Sequence, residues 1–113
     1  MKAIQGMFPP IVTAFKANGD IDDKLVAAEM DFALRAGVQG LSVAGSTGEG
    51  PTLCDEELRD MVQLARERAG DERPVICGVM RGCTRDAVRA GKVARDAGAD
   101  ALMITPTAYN VLV

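Results

Sequence analysis

The chain has 113 residues, a net charge of −3 and 48% hydrophobic content, enough for one globular unit with its own core. The acidic balance leaves no basic patch to neutralise phosphates, which argues against nucleic acid as a partner. No apolar run approaches the roughly 20 residues of a membrane span. Histidine is absent, so Ser-His-Asp and Cys-His chemistry and most zinc sites are removed, and neither metal nor cofactor is expected. Cys54, Cys77 and Cys83 are an odd number without C-x-x-C spacing, read as reduced packing residues. No leader precedes Met1-Lys2-Ala3-Ile4, and the expected compartment is the cytoplasm.

In chain order, residues 6–15 predict a first strand, stiffened at its entry by Pro9 and Pro10. A turn follows at Ala17-Asn18-Gly19-Asp20. Asp22 is a helix N-cap, and Val26, Met30, Ala33 and Leu34 fall on one face of a helix that Gly37 stops. Residues 40–44 predict a second strand. The second helix runs over 55–69 with Leu58, Met61, Val62 and Ala65 inward, and Cys54 holds its cap position. Residues 74–78 predict a third strand. Thr84 is read as the cap of a third helix to Ala97, with Ala87, Ala90, Val93, Ala94 and Ala97 inward. A fourth strand covers 101–105 and ends at Pro106. The strands are short and continuously apolar, as strands buried on both faces should be. The order βαβαβαβ fits a parallel sheet, either doubly wound or part of a (β/α)8 barrel.

The stretch that carries chemistry is Gly45-Ser46-Thr47-Gly48-Glu49, where the second strand hands over to a helix. Glycine permits a tight turn and close backbone approach, so free N–H groups and the two hydroxyls can meet a small anion such as a carboxylate or phosphate. The bland reading is a glycine turn with Ser46 and Thr47 as local caps. In a barrel this loop shares the rim with Thr13, with Met80-Arg81-Gly82 and with the segment 106–109. Glu49 is read as structural, since a carboxylate aimed at an anion site would repel the ligand. Arg81 is read as facing solvent. Lys16 is read as solvated in its polar turn.

The run Gly40-Leu41-Ser42-Val43-Ala44-Gly45-Ser46-Thr47-Gly48-Glu49-Gly50, followed by Leu53 and Glu57, resembles the glycine-rich signature of the dihydrodipicolinate synthase/N-acetylneuraminate lyase family. Pro10-Ile11-Val12-Thr13 resembles that family's first strand, and Ile104-Thr105-Pro106 with Tyr109 its fourth strand and tyrosine loop. The resemblance implies the first half of a (β/α)8 TIM barrel and class I aldolase chemistry, in which a lysine forms a Schiff base with pyruvate or a related 2-oxo acid. It implies that Ser46, Thr47 and Gly48 bind the carboxylate, and that Ser46 and Tyr109 belong to a proton relay. Tyr109 would reach a neighbouring subunit's site in a homo-oligomer, a tetramer in full-length members. Two departures favour a member with another aldehyde partner: Thr107 and Ala108 precede Tyr109, and Met80 replaces a small residue.

A complete barrel takes about 250 residues. Residues 1–113 are therefore read as a single unit, the amino-terminal part of a barrel domain cut short. The family's Schiff-base lysine lies in the second half, so the chain alone is expected to be inactive. The alternative is a non-catalytic half-barrel that binds a small carboxylate or serves in assembly. In barrel order the first and fourth strands are both open edges. Val12, Val43, Ile76 and Met103 are expected on the inner face, and self-association should follow.

Overall fold

The computed structural model describes residues 2–106. Helix α1, Asp23–Arg35, begins where the Asp22 carboxylate accepts the Leu25 N–H at 3.1 Å. Asp23 in its first turn and Arg35 in its last complement the helix dipole. Gly37, at φ +92°, turns the chain towards strand β1, Leu41–Val43. Helix α2, Asp55–Ala69, strand β2, Val75–Val79, helix α3, Thr84–Ala97, and strand β3, Ala101–Ile104, follow. The sheet order is β1-β2-β3 and both pairings are parallel, with Leu41 opposite Val75 and Ile76 opposite Ala101. Right-handed βαβ crossovers put helices over such a sheet. This is the first half of a (β/α)8 barrel.

The helix stripes read from sequence face the sheet. Val26, Met30, Leu58, Met61, Val62 and Ala65 are fully buried, and Ala90, Ala94 and Ala97 from α3 join them. Gly91 lets α3 approach β3, since a Cβ there would lie 3.1 Å from Leu102 Cδ1.

Four expectations change. The predicted first strand is an extended segment with one parallel bridge, Pro10 to Ser42. Ile11 N–H donates to Ser42 O at 2.9 Å and Ser42 N–H to Pro9 O at 3.3 Å. Pro9 and Pro10 have no N–H to donate, which thins the ladder along this segment. Its outer border is also blunted, because the Glu29 carboxylate accepts the Val12 N–H at 3.1 Å. Second, Val43 lies opposite Cys77 and belongs to the helix-facing core, fully buried, whereas Val12 and Met103 are each 44% exposed. Adjacent strand residues point to opposite faces. By register the inner set therefore runs through Ser42, Ile76 and Ala101, with Gly78 and Met103 beyond them.

Third, Cys83 and not Thr84 is the N-cap of α3. Fourth, only Cys77 is a buried packing thiol; Cys54 and Cys83 are exposed at helix starts. Cys54 caps α2, and its N–H donates to Glu57 Oε2 at 2.9 Å, one arm of a capping box. Burial pushes the Cys77 thiol up to about 12, and Arg81 opposes this only in part. The folded state thus keeps Cys77 neutral, a contribution present below the ordinary thiol value of 9.0 and lost as pH rises from there towards 12. At pH 8 a thiol-reactive dye should label Cys54 and Cys83 in the native chain and reach Cys77 only after denaturant is added. Equal labelling of all three without denaturant would contradict this packing.

At the amino ends of the strands, Arg66 gathers the chain. Its guanidinium donates to the carbonyls of Gly98 at 3.1 Å, Gly70 at 2.5 Å and Arg73 at 3.1 Å, and pairs with Asp100. Asp100 also accepts the Val75 N–H at 2.8 Å and lies 3.3 Å from the Lys2 ammonium. Desolvation opposes ionisation of Asp100, but the Val75 N–H, Arg66 and Lys2 outweigh it and hold the carboxyl below its ordinary value.

Candidate functional site: the loop after strand β1

At the opposite rim, residues 44–50 leave β1 and turn sharply. Ala44 has φ +55° and Glu49 φ +56°, the two non-glycine residues with positive φ among those described. Each costs about 1–2 kcal/mol in a left-handed conformation. Strain of this kind persists only where the surroundings over-determine it, and it gathers at functional sites.

Those surroundings come from the end of β2 and from the first extended segment. At the loop's entry, glycines let the backbones meet: a Cβ on Gly78 would lie 2.3 Å from Ala44 O, and one on Gly50 1.9 Å from the same oxygen. In the middle, the buried Thr13 hydroxyl donates to Gly48 O at 2.6 Å. A Cβ on Gly48 would sit 2.8 Å from Ile11 O, so the first segment presses directly on the turn. Gly50 N–H closes the loop on Gly45 O at 2.9 Å. Glu49 is N-cap of a short 3-10 turn, Gly50–Thr52. Its carbonyl accepts the Thr52 hydroxyl at 2.8 Å, so the part it plays is structural and lies in its backbone.

Within this frame Ser46 and Thr47 are exposed while Gly45, Gly48 and Gly50 are buried. Two hydroxyls therefore stand free at the carboxyl ends of parallel strands, on a turn whose backbone is fixed behind them. Such an arrangement can donate hydrogen bonds to a small anion. Met103 reaches under it from β3, with Cε 3.3 Å from where a Gly45 Cβ would be. The structure brings Ser46, Thr47 and Gly48 onto one turn. Tyr109 lies outside the described residues.

Arg81 does not face solvent. Its side chain is 11% exposed, and it donates to Gly50 O and Leu53 O, each at 3.0 Å, with Asp55 Oδ1 at 3.6 Å. No local pattern around residue 81 warns of this: an arginine in a glycine-bearing loop reads as solvated until the loop is seen to fold back onto the 3-10 turn. Lys16, by contrast, is exposed in its turn as expected. Among the described residues, no group of His, Cys, Asp and Glu is placed to hold a metal ion, and no helix is long and apolar enough to cross a membrane.

The fold and this loop define a barrel unit of the kind that carries its site on the strand-end rim. The chain belongs to the dihydrodipicolinate synthetase family, whose model matches residues 3–111. It is 38% identical over 106 residues to the 4-hydroxy-tetrahydrodipicolinate synthase of Agrobacterium fabrum, covering 94% of this chain and 36% of that protein. Its structure is similar to that of YagE, a prophage protein of the dihydrodipicolinic acid synthase family from E. coli K12, solved in complex with pyruvate. The TM-score is 0.83 at 33% identity, over 94% of this chain and 36% of that one. The dihydrodipicolinate synthase of Aquifex aeolicus gives a TM-score of 0.81 at 32% identity, over 89% of this chain and 34% of that one. The chain thus spans little more than a third of the length of the relatives it matches.

Proposed function

We propose that the chain forms the carboxylate-binding rim of a Schiff-base-forming lyase of the class I aldolase type, acting on pyruvate or a related 2-oxo acid. The observation that carries this reading is the strained loop, which leaves Ser46 and Thr47 exposed at the carboxyl ends of the strands. The pyruvate complex of the family member from E. coli supports the choice of ligand. In this reading the Thr47 and Ser46 hydroxyls donate to the carboxylate of the 2-oxo acid. The fixed backbone holds them there without reorganisation as the ligand arrives. Ser46 also passes a proton, with Tyr109 as its relay partner across a subunit contact in a homo-oligomer.

A lysine nucleophile needs desolvation to be uncharged near neutral pH. Lys16, Lys24 and Lys92 are exposed, and Lys2 is paired with Asp100. The 113-residue chain on its own is therefore read as a binder without aldolase activity. Treatment with pyruvate and borohydride should leave its mass unchanged.

Binding is tested by titrating pyruvate and following the Ser46 and Thr47 amide resonances. Thr47→Val should weaken binding by about 1–3 kcal/mol, the cost of a ligand oxygen left without its donor. In a full-length family member, the change equivalent to Ser46→Ala should lower turnover more than affinity. Amide shifts that ignore pyruvate, or that survive Thr47→Val unchanged, would return the loop to a plain glycine turn.

A further inference from the structure

We propose that Arg81 is a positioning residue: through the Gly50 and Leu53 carbonyls it fixes the exit of the hydroxyl loop and so sets where Ser46 and Thr47 stand. The inference rests on the carboxylate-binding reading for its functional consequence, but its structural part can be tested separately.

Three anchors hold the loop, and they differ in kind. The entry is held by backbone packing of Gly50 and Gly78 on Ala44 O. The middle is held by the Thr13 hydroxyl on Gly48 O. The exit is held by a side chain from a different strand end. Arg81 Nη1 meets Gly50 O and Nη2 meets Leu53 O, the first residue and the C-cap of the 3-10 turn whose N-cap is Glu49. Fixing both carbonyls fixes the pitch of that turn, and with it the left-handed Glu49 immediately before it. The loop's own hydrogen bonds are uneven: Gly50 N–H to Gly45 O and Thr52 N–H to Glu49 O are 2.9 Å, but Leu53 N–H reaches Gly50 O only at 3.3 Å and Glu49 N–H reaches Ser46 O at 3.2 Å. The long bond at Leu53 leaves the exit of the turn the weaker end, and the strained Glu49 beside it is served by an external tie there.

The chemistry selects arginine for that tie. A planar guanidinium presents parallel donors to two acceptors at once, whereas an ammonium is a point charge on a flexible stem. The charge is itself balanced, since Asp55 lies 3.6 Å from Arg81 and also pairs with Arg89 at 2.6 Å. Arg81 thereby ties the start of α2 to the loop before α3, across the strand end from which the hydroxyl turn springs. Its hold on the two hydroxyls runs through the loop backbone, at Gly50 O and Leu53 O.

The experiment compares the 113-residue chain with its Arg81→Met and Arg81→Lys variants by amide hydrogen exchange and pyruvate titration. The probes are the hydrogen-bonded amides of Glu49, Gly50, Thr52 and Leu53, with those of α2 as the internal reference. Arg81→Met is expected to speed exchange of the four loop amides about tenfold relative to the reference, the scale of one lost charged hydrogen bond. Arg81→Lys should fall between, because it keeps the charge and loses the fork. Pyruvate binding should weaken in the same order. Loop exchange unchanged in Arg81→Met overturns the proposal, and so does an equal acceleration of loop and α2 amides, which would make Arg81 a general stabiliser. If the unmodified chain gives no pyruvate response, the carboxylate reading fails, and the exchange data still decide the positioning role.

Discussion

Gly50→Ala is expected to destabilise the chain by about 3 kcal/mol or more, a large share of the 5–15 kcal/mol typical of a folded domain. The added Cβ would lie 1.9 Å from Ala44 O and 2.7 Å from the Ala44 carbonyl carbon. Both obstacles are backbone, so no rotamer change can clear them. Relief requires moving the turn off the end of β1, which also breaks the Gly50 N–H bond to Gly45 O. Gly82→Ala is the control: nothing lies within 4 Å of its Cβ position and its φ is unexceptional. Urea unfolding of the two variants decides the matter. Equal midpoints would mean that the loop does not fold back onto Ala44.

Arg66→Met should cost about 3 kcal/mol at the other end of the strands. It strips three carbonyls of a charged donor and leaves Asp100 without its nearest cation. The partial exposure of the pair, 20% and 23%, keeps the figure below that of a fully buried pair. The loss should also depend on pH. The Asp100 carboxyl is depressed in the folded state, so its contribution is present above the ordinary value of 3.8 and disappears as pH falls below that. Comparing unfolding midpoints of the two proteins at pH 7 and at strongly acidic pH checks this: the gap should narrow in acid. The pyruvate response of Ser46 and Thr47 should survive in Arg66→Met wherever the protein remains folded, because amino-end residues of a barrel serve stability and carboxyl-end residues serve the site.

Much of this architecture was legible in the sequence because it is written in periodicity. The stripe Leu58, Met61, Val62, Ala65 needs no tertiary knowledge to be placed inward, and glycines at 37, 70 and 98 mark helix ends by the backbone they permit. The strands were legible as apolar runs, but their facing was not. A run apolar on both faces carries no alternation, so Val43 could be assigned inward or outward until the register with Cys77 was known. The first segment misled for a related reason. Its side chains suit a strand, while Pro9 and Pro10 withhold the donors a ladder requires. At the loop, Ser46, Thr47 and Gly48 declare themselves through their residue types. The constraints on them do not. Ala44 and Arg81 act through a left-handed backbone and two long-range carbonyl contacts, and neither leaves a local signature.

The unequal borders of the sheet give the fold a direction in time. On the older side, Pro10 has no N–H to offer and Glu29 has already claimed that of Val12. On the newer side, Leu102, Met103 and Ile104 stand exposed along β3. A chain emerging from the ribosome folds its amino-terminal elements first. In a family member that continues past this point, the next strand to appear meets a bare template, while the opposite border stays quiet through the wait. A strand that later pairs with that border through Val12 has first to displace the Glu29 carboxylate from its amide.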